Sequence, residues 1–168
     1  MEGDHKERPL LQEKYNETQP EISPDGRWMA YTSNESGQNQ VYVRPYPDVE
    51  GGRWQISTSG GDSPLWSGNG RELFYRNRDE VMAVSLKTEQ TFDFETPKAI
   101  FRGNYVSADL NLANIELNSW DISPDGKRFL MMKPPASAGA APAAAAPQPK
   151  INIVLNWTEE LKQRVPIK

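Results

Sequence analysis

The sequence predicts an all-β fold made of repeated antiparallel sheets. Its 168 residues include 14 Pro and 12 Gly. These divide the chain into short runs of β-branched and aromatic residues, and apolar residues at helical spacing are rare. The segment Glu21–Tyr31 recurs at Asp121–Met131, and both copies contain Ile-Ser-Pro-Asp-Gly. A diverged copy at Leu65–Tyr75 makes three repeats, which indicates repeated structural units.

Each repeat is expected to be centred on a tight turn. Proline presets φ at the second turn position, aspartate accepts hydrogen bonds from the backbone N–H groups that follow it, and glycine adopts a positive φ. The middle copy keeps the pattern loosely, as Ser67-Gly-Asn-Gly70. The predicted structural turn residues of the two full copies are Ser23, Pro24, Asp25 and Gly26, and Ser123, Pro124, Asp125 and Gly126.

The residues around each turn predict a four-stranded meander. The first unit is predicted to have strands near Glu21–Ser23, Trp28–Ser33, Gln40–Tyr46 and Arg53–Ser57. The second is predicted to have strands near Pro64–Ser67, Glu72–Asn77 and Val81–Lys87, and one strand within Phe92–Phe101. The third is predicted to have strands near Ser119–Ser123, Arg128–Lys133 and Ile151–Trp157.

The two ends of the chain differ from the repeats. Thr158 is a suitable N-cap, acidic residues follow it and basic residues come later, so a short C-terminal helix is predicted in place of a fourth strand. Pro9–Gln12 is an apolar stretch before the first repeat. Counted as a strand, it supplies the strand that the third unit lacks, and the prediction becomes three units of four strands.

One segment interrupts the third repeat. Residues 134–149 are rich in Pro and Ala and offer no side chains able to form a core, so they are predicted to be a mobile loop. Residues 1–168 are otherwise expected to form a single domain, because no internal span has the length and composition of a second one.

Composition excludes several classes of function. Nineteen Lys and Arg against 23 Asp and Glu give a net charge of −4, which argues against nucleic acid as a partner. The chain has no Cys, and its one His, His5, lies among charged residues near the start of the chain. Thiolate metal sites and most triads are therefore excluded, and no metal or cofactor is expected.

The start of the chain gives no information on the native compartment. Its first ten residues lack the apolar region of a signal peptide, and no stretch approaches the roughly 18 apolar residues that span a bilayer. The sequence therefore predicts a soluble chain that does not insert into a membrane, and its localisation stays unknown.

The repeats resemble those of a known family. Ile22–Gly37 followed by Val41–Arg44 resembles the repeat of the WD-repeat-like β-propellers of the TolB type, in which a Ser-Pro-Asp-Gly turn joins two strands. Three further stretches, Arg44–Thr58, Pro64–Tyr75 and Ile153–Lys162, are similar to the C-terminal propellers of bacterial receptor-like Ser/Thr kinases and transcriptional regulators. The resemblance implies three four-stranded blades, or half of a six-bladed propeller. The kinase motifs themselves do not occur.

In a propeller the first strand of each blade lines a central channel. Alternation along these strands offers two sets of channel-lining candidates. One set contains the carboxylates Glu21 and Asp121, with Leu65 between them in sequence. The other contains Gln19, Ser63 and Ser119, and Trp120 is a further candidate beside the channel. All five tryptophans are expected to pack between blades, and Trp120 alone is also placed beside the channel: Trp28, Trp54, Trp66, Trp120 and Trp157.

The function predicted from these features is non-catalytic. No constellation supplies a nucleophile with its base, a metal triad or a phosphate cradle. We therefore expect a propeller module that binds a protein or peptide and associates with itself, two chains forming one six-bladed propeller. In that dimer the Pro9–Gln12 strand of one copy completes the third blade of the other. Two alternatives stay open: a sensory or regulatory C-terminal part of a longer kinase or regulator, and an enzyme that uses the channel carboxylates.

Overall fold

A computed structural model describes residues 9–88, 91–106 and 118–133, together with the backbone of residues 150–154. The first sheet runs in the order β1-β2-β3-β4 and is antiparallel throughout. Its strands are β1 (Glu17–Ile22), β2 (Trp28–Ser33), β3 (Gln40–Pro45) and β4 (Trp54–Gln55), with a 3₁₀ turn at Val49–Gly51. This sheet confirms the predicted meander of the first unit.

The second sheet has a divided outer edge. It contains β5 (Asp62–Trp66), β6 (Glu72–Asn77), β7 (Glu80–Lys87), β8 (Asp93–Phe94) and β9 (Lys98–Arg102). Strand β8 pairs with the end of β7, and β9 pairs with its beginning. The prediction of one fourth strand within Phe92–Phe101 was therefore wrong, because the chain leaves the edge of β7 and returns to it.

The third sheet runs β10-β11-β12 and is also antiparallel. Its strands are β10 (Trp120–Ile122), β11 (Phe129–Lys133) and β12 (Lys150–Val154). The predicted loop at residues 134–149 and the predicted C-terminal helix lie outside the described residues. Within those residues, no helix has the length and apolar character that crossing a membrane requires.

We call residues 9–16, the described residues before β1, the leader, and they do not form the predicted strand. Pro9–Gln12 contains no strand, and Leu11 packs instead against a buried cluster on the first sheet of its own chain. In the single chain this segment therefore lies against its own first sheet, and its pairing with a second copy stays a prediction.

The three turns share one hydrogen-bond pattern. In the first, Ser23 Oγ donates to Asp25 Oδ1 (2.6 Å) and accepts from Trp28 N (3.0 Å), while Arg27 N donates to Asp25 Oδ1 (3.1 Å). The turns beginning at Ser67 and Ser123 repeat these contacts, with Asn69 in the place of aspartate in the middle one. The fourth residue of each turn is a glycine with φ between 68° and 70°, as the turn chemistry predicts.

The sheets stack face to face in chain order. One core lies between the first and second sheets and includes Ala30, Val43, Leu73 and Val84. A second core lies between the second and third sheets, where Phe74 meets Phe129 at 5.2 Å between ring centroids. The four tryptophans within the described residues belong to these cores or pack against them, as predicted: Trp28, Trp54, Trp66 and Trp120.

Aligning the three repeats on Ser23, Ser67 and Ser123 gives equivalent positions that can be compared between sheets. We call the side of a sheet that packs on the next sheet in the chain its following face, and the opposite side its preceding face. Ala30 and Phe74 lie on following faces and are 0% exposed, whereas the equivalent Leu130 is 39% exposed. Within the part of the chain that the structure describes, the following face of the third sheet is therefore only partly covered.

Candidate functional site

The first strands of the three sheets meet around an open cavity of about 320 Å³. The equivalent residues Glu21, Leu65 and Asp121 all line it. Its remaining walls are mostly apolar and come from the neighbouring residues Ile22, Trp66 and Ile122, and from the turns that follow. Of the two candidate sets given by alternation along the strands, this set faces the cavity.

Glu21 is the more enclosed of the two carboxylates, since Asp121 is exposed. Burial raises the pKa of the Glu21 carboxyl, and the nearby charge of Asp121 adds to that rise. Asn118 Nδ2 donates to Glu21 Oε1 at 3.3 Å. Trp66 Nε1 donates to the backbone carbonyl of Glu21 at 3.0 Å, which fixes the strand that carries the carboxylate.

The second candidate set holds the sheets together. The pairing of β1 with β2 shifts register between Thr18 and Glu21, and Gln19 adopts a left-handed φ of 53° within this bulge. Ser63 has the same φ in the corresponding bulge of β5. The Gln19 amide crosses between the sheets: its Nε2 donates to Ser63 Oγ, and its Oε1 accepts from Ser63 N, each at 2.9 Å. Thr32 Oγ1 also donates to Gln19 Oε1 at 2.9 Å. We call this group of hydrogen bonds the Gln19 bridge.

Ser119 and Trp120 also lie inside the structure. Ser119 is buried and its hydroxyl donates to the carbonyl of Val106 at 2.8 Å. Trp120 is buried between the second and third sheets, stacks on Phe129 and donates from Nε1 to the carbonyl of Ser63 at 3.1 Å. The expectation that Trp120 lies beside the channel is therefore wrong, because its indole fills the core between two sheets.

The turn carboxylates are used locally. Partial burial acts to raise the pKa of Asp25, but the hydrogen bonds from Ser23 and Arg27 outweigh it and hold that pKa below its ordinary value. In the exposed third turn, the hydrogen bond from Ser123 lowers the pKa of Asp125 in the same way. Both groups stabilise the turns as carboxylates, the structural role predicted for them.

Two of the turns touch beside the cavity. A Cβ added to Gly68 would lie 2.2 Å from the carbonyl oxygen of Pro124, far inside van der Waals contact. Gly68 occupies the turn position that holds proline in the other two repeats, at Pro24 and Pro124. The glycine at position 68 of the diverged turn is therefore required by the close approach of the third turn.

This geometry limits the chemistry available at the cavity. Two carboxylates and apolar walls suit a cationic group that has an aliphatic or aromatic body. Among the described residues, no three His, Cys, Asp or Glu side chains are grouped as a metal site would require.

Comparison with known proteins gives the fold but no family. No protein-family model matches the chain. An uncharacterised protein from Agrobacterium fabrum is 28% identical over 123 residues, which are 68% of this chain and 39% of that protein. A putative TolB from Agrobacterium tumefaciens superposes with a TM-score of 0.52 at 14% identity, covering 81% of this chain and 44% of that structure. The fold is that of a β-propeller.

A second similar structure is that of a lyase. Oligogalacturonate lyase from Vibrio parahaemolyticus superposes with a TM-score of 0.51 at 15% identity, covering 73% of this chain and 31% of the lyase. The chain thus spans less than half the length of each of these proteins. At such identities the likeness concerns the fold alone.

Sequence reasoning missed two features of this region. The Gln19 bridge had a signal in the equivalent positions of Gln19 and Ser63, 44 residues apart in sequence. The left-handed φ that directs both residues had no such signal, because neither is the glycine that usually marks it. The second missed feature is the packing of the leader on the first sheet of its own chain, which depends on the tertiary fold.

Proposed function

We propose that the chain is a non-catalytic propeller module that binds proteins, and that its first partner is a second copy of itself. The observation that carries this proposal is the exposure of Leu130 and Met132, at 39% and 37%. The positions equivalent to Met132 are Thr32 and Arg76, which are 1% and 3% exposed. The third sheet thus exposes apolar side chains to solvent at two positions whose equivalents in the first and second sheets are buried.

A second copy is the partner whose chemistry fits this face. The other end of the stack is the preceding face of the first sheet, which carries Met29, Tyr31 and Tyr42. In the second and third sheets the preceding face is the surface that packs on a following face. The chain therefore contains both halves of a sheet-to-sheet interface, one at each end.

The number of sheets supports this arrangement. Closed propellers generally have 4–8 blades, so three sheets are too few for a closed ring, and two copies would give six blades. A two-fold axis would make both junctions between the copies equivalent. Each junction would bury the third sheet of one copy against the first sheet of the other.

Light scattering over a range of protein concentrations tests the proposal. Wild-type chain should form dimers, and Leu130→Glu should shift the equilibrium to monomers because it places a charge in the apolar contact. Lys127→Glu is the matched control, since Lys127 is an exposed residue of the adjoining turn and its replacement should leave the dimer intact. A folded wild-type monomer at millimolar concentration, or a Leu130→Glu dimer of unchanged affinity, would overturn the proposal.

A peptide ligand at the cavity is the second candidate function. The two carboxylates and the apolar walls around them favour the basic side chain of a peptide. Calorimetric titration with a short lysine peptide should show binding that weakens in Glu21→Gln and in Asp121→Asn and at high salt. Binding to the wild type that is unchanged in both variants, or equal binding of a glutamate peptide, would exclude this role for the cavity.

Catalysis is the less favoured alternative. The lyase neighbour acts on an oligogalacturonate, an acidic sugar chain, and the carboxylates of this cavity would repel such a polyanion. A panel of hydrolase and lyase substrates, with Glu21→Gln and Asp121→Asn as controls, separates the classes. Turnover that both variants abolish would show an enzyme. A regulatory role in a longer kinase or regulator would use the same interaction surfaces.

A further inference from the structure

We infer that Leu10–Glu13 is an intrachain cap on the preceding face of the first sheet, and that a further blade must displace it to dock there. We call these four residues the cap. The inference rests on the proposed self-association and concerns how that association is controlled. It replaces the expected exchange of a leader strand with a competition for one surface.

The apolar half of the cap is Leu11. It packs on the buried cluster of Met29, Tyr31, Tyr42 and Val49. By position in the repeat, Met29 corresponds to Leu73 and Phe129, both of which are completely buried by a neighbouring sheet. In the first sheet the leader stands where that neighbouring sheet would be.

The charged half of the cap is Glu13. Its carboxylate pairs with Arg44, whose side chain is almost fully buried. Arg44 Nε donates to Tyr31 Oη at 2.8 Å, and Arg44 Nη1 donates to the carbonyl of Val49 at 3.2 Å. The guanidinium thus keeps two partners on the sheet, and removing Glu13 would leave it only partly unpaired.

The cap leaves Met29, Tyr31 and Tyr42 at most 4% exposed but does not fill the space beside them. A groove of about 220 Å³ remains beside it, lined by Leu10, Thr18, Met29 and Tyr31 among others. Leu10 is itself 43% exposed. Residues 9–12 form no strand pairing with the sheet. A few side-chain contacts therefore hold the cap, whereas a docking sheet would offer a whole face.

Competition of this kind predicts that weakening the cap strengthens self-association. Leu11→Ser removes the apolar contact, and Glu13→Gln removes the charge while keeping an oxygen that can accept from Arg44. In the full-length chain, each variant should tighten the dimer about tenfold, a change of about 1.4 kcal/mol. Glu95→Gln is the matched control for Glu13→Gln, because Glu95 is an exposed glutamate beside β8 and outside the cap, and its dimer affinity should stay within twofold of the wild type.

Tryptic cleavage after Lys14 gives a second readout. Displacement of the cap should free this site, so the cleavage rate should rise with wild-type concentration as dimers form. A rate that falls with concentration would show that the leader belongs to the interface, as strand exchange requires, and would overturn the inference.

The outcomes separate the cap from the proposed function. A wild-type dimer whose affinity is unchanged or weakened in both cap variants overturns the cap and leaves self-association standing. A wild-type dimer that both cap variants tighten supports the cap and the self-association together. Folded monomers throughout, confirmed by circular dichroism at millimolar concentration, overturn both.

Discussion

The first and third sheets carry the same turn at residue numbers that differ by 100, yet their equivalent positions have different surroundings. In the third sheet, Phe129 on the preceding face is covered by the second sheet, while Leu130 on the following face is exposed. In the first sheet, the following face is covered by the second sheet and the preceding face by the leader. Turn and strands thus repeat with the sequence, but burial depends on the place of the sheet in the stack.

The largest expected difference concerns the two preceding faces. Phe129→Ala should lower the free energy of unfolding by about 3–5 kcal/mol, because it removes a ring packed on Phe74, Phe101 and Trp120. Met29→Ala, at the equivalent position under the leader, should cost about 2 kcal/mol. Urea unfolding of both variants measures the difference. Equal losses would show that the leader packs on the first sheet as firmly as the second sheet packs on the third.

The next effect concerns contacts between sheets. Gln19→Ala should cost about 1–3 kcal/mol, because the Gln19 bridge is lost and buried polar groups of Ser63 and Thr32 each lose one hydrogen-bond partner. Ser119→Ala, at the equivalent position of the third sheet, removes one hydroxyl hydrogen bond and should cost about 1 kcal/mol.

The left-handed backbone at Gln19 adds a sharper test of this site. Gln19→Gly also removes the amide, but glycine accepts a φ of 53° without steric cost. Gln19→Gly should therefore be more stable than Gln19→Ala by about 1 kcal/mol, measured by the same unfolding experiment. An alanine variant at least as stable as the glycine variant would contradict the assigned backbone geometry.

A smaller effect separates the two cavity carboxylates. The pKa of Glu21 is raised in the folded protein, so the folded state binds protons more tightly and stability falls as pH rises through that pKa. Glu21→Gln should raise stability at neutral pH by less than about 1 kcal/mol and flatten this decline. Asp121→Asn should do less, since burial rather than Asp121 is the main cause of the shift. Thermal unfolding between pH 4 and pH 8 tests both, and a destabilised Glu21→Gln would contradict the assignment.

The smallest effect should be found in the turns. Asp25 has a lowered pKa, so its contribution to stability is present above the unfolded value of about 3.9 and is lost as pH falls through the folded value. Asn69 makes the same hydrogen bonds in the middle turn. Asp25→Asn should therefore change neutral stability by less than about 0.5 kcal/mol and weaken the acid dependence. Asp125→Asn is the matched variant, and urea midpoints at pH 7 and pH 3 would reveal any difference between them.

The sequence predicted the features that short-range chemistry decides. The Ser-Pro-Asp-Gly turns, the strands on either side of them and the burial of Trp28, Trp54, Trp66 and Trp120 were all predicted. Each follows from side chains acting on their own or neighbouring backbone, or from the area that an aromatic ring must bury. The alternation that places Glu21 and Asp121 in one set was also visible, although it did not decide which set faces the cavity.

The features that the sequence did not predict depend on distant neighbours. Strands β8 and β9 share one edge of β7, and pairing preferences alone do not indicate where a chain leaves an edge and returns. The position of the leader depends on Arg44, whose buried charge requires a carboxylate that only the folded sheet brings near it. The Gln19 bridge depends on a backbone conformation that glutamine rarely adopts.

Gly68 has a consequence for reading the evolution of this repeat. A comparison of the three copies would class the middle turn as decayed and suggest proline as its repair, since substitutions toward a consensus commonly stabilise proteins. The carbonyl oxygen of Pro124 occupies the space that any side chain at this position would need. A proline at position 68 would force the second and third blades apart. At this position the irregular copy is the adapted one, and similarity among repeats understates how closely they fit together.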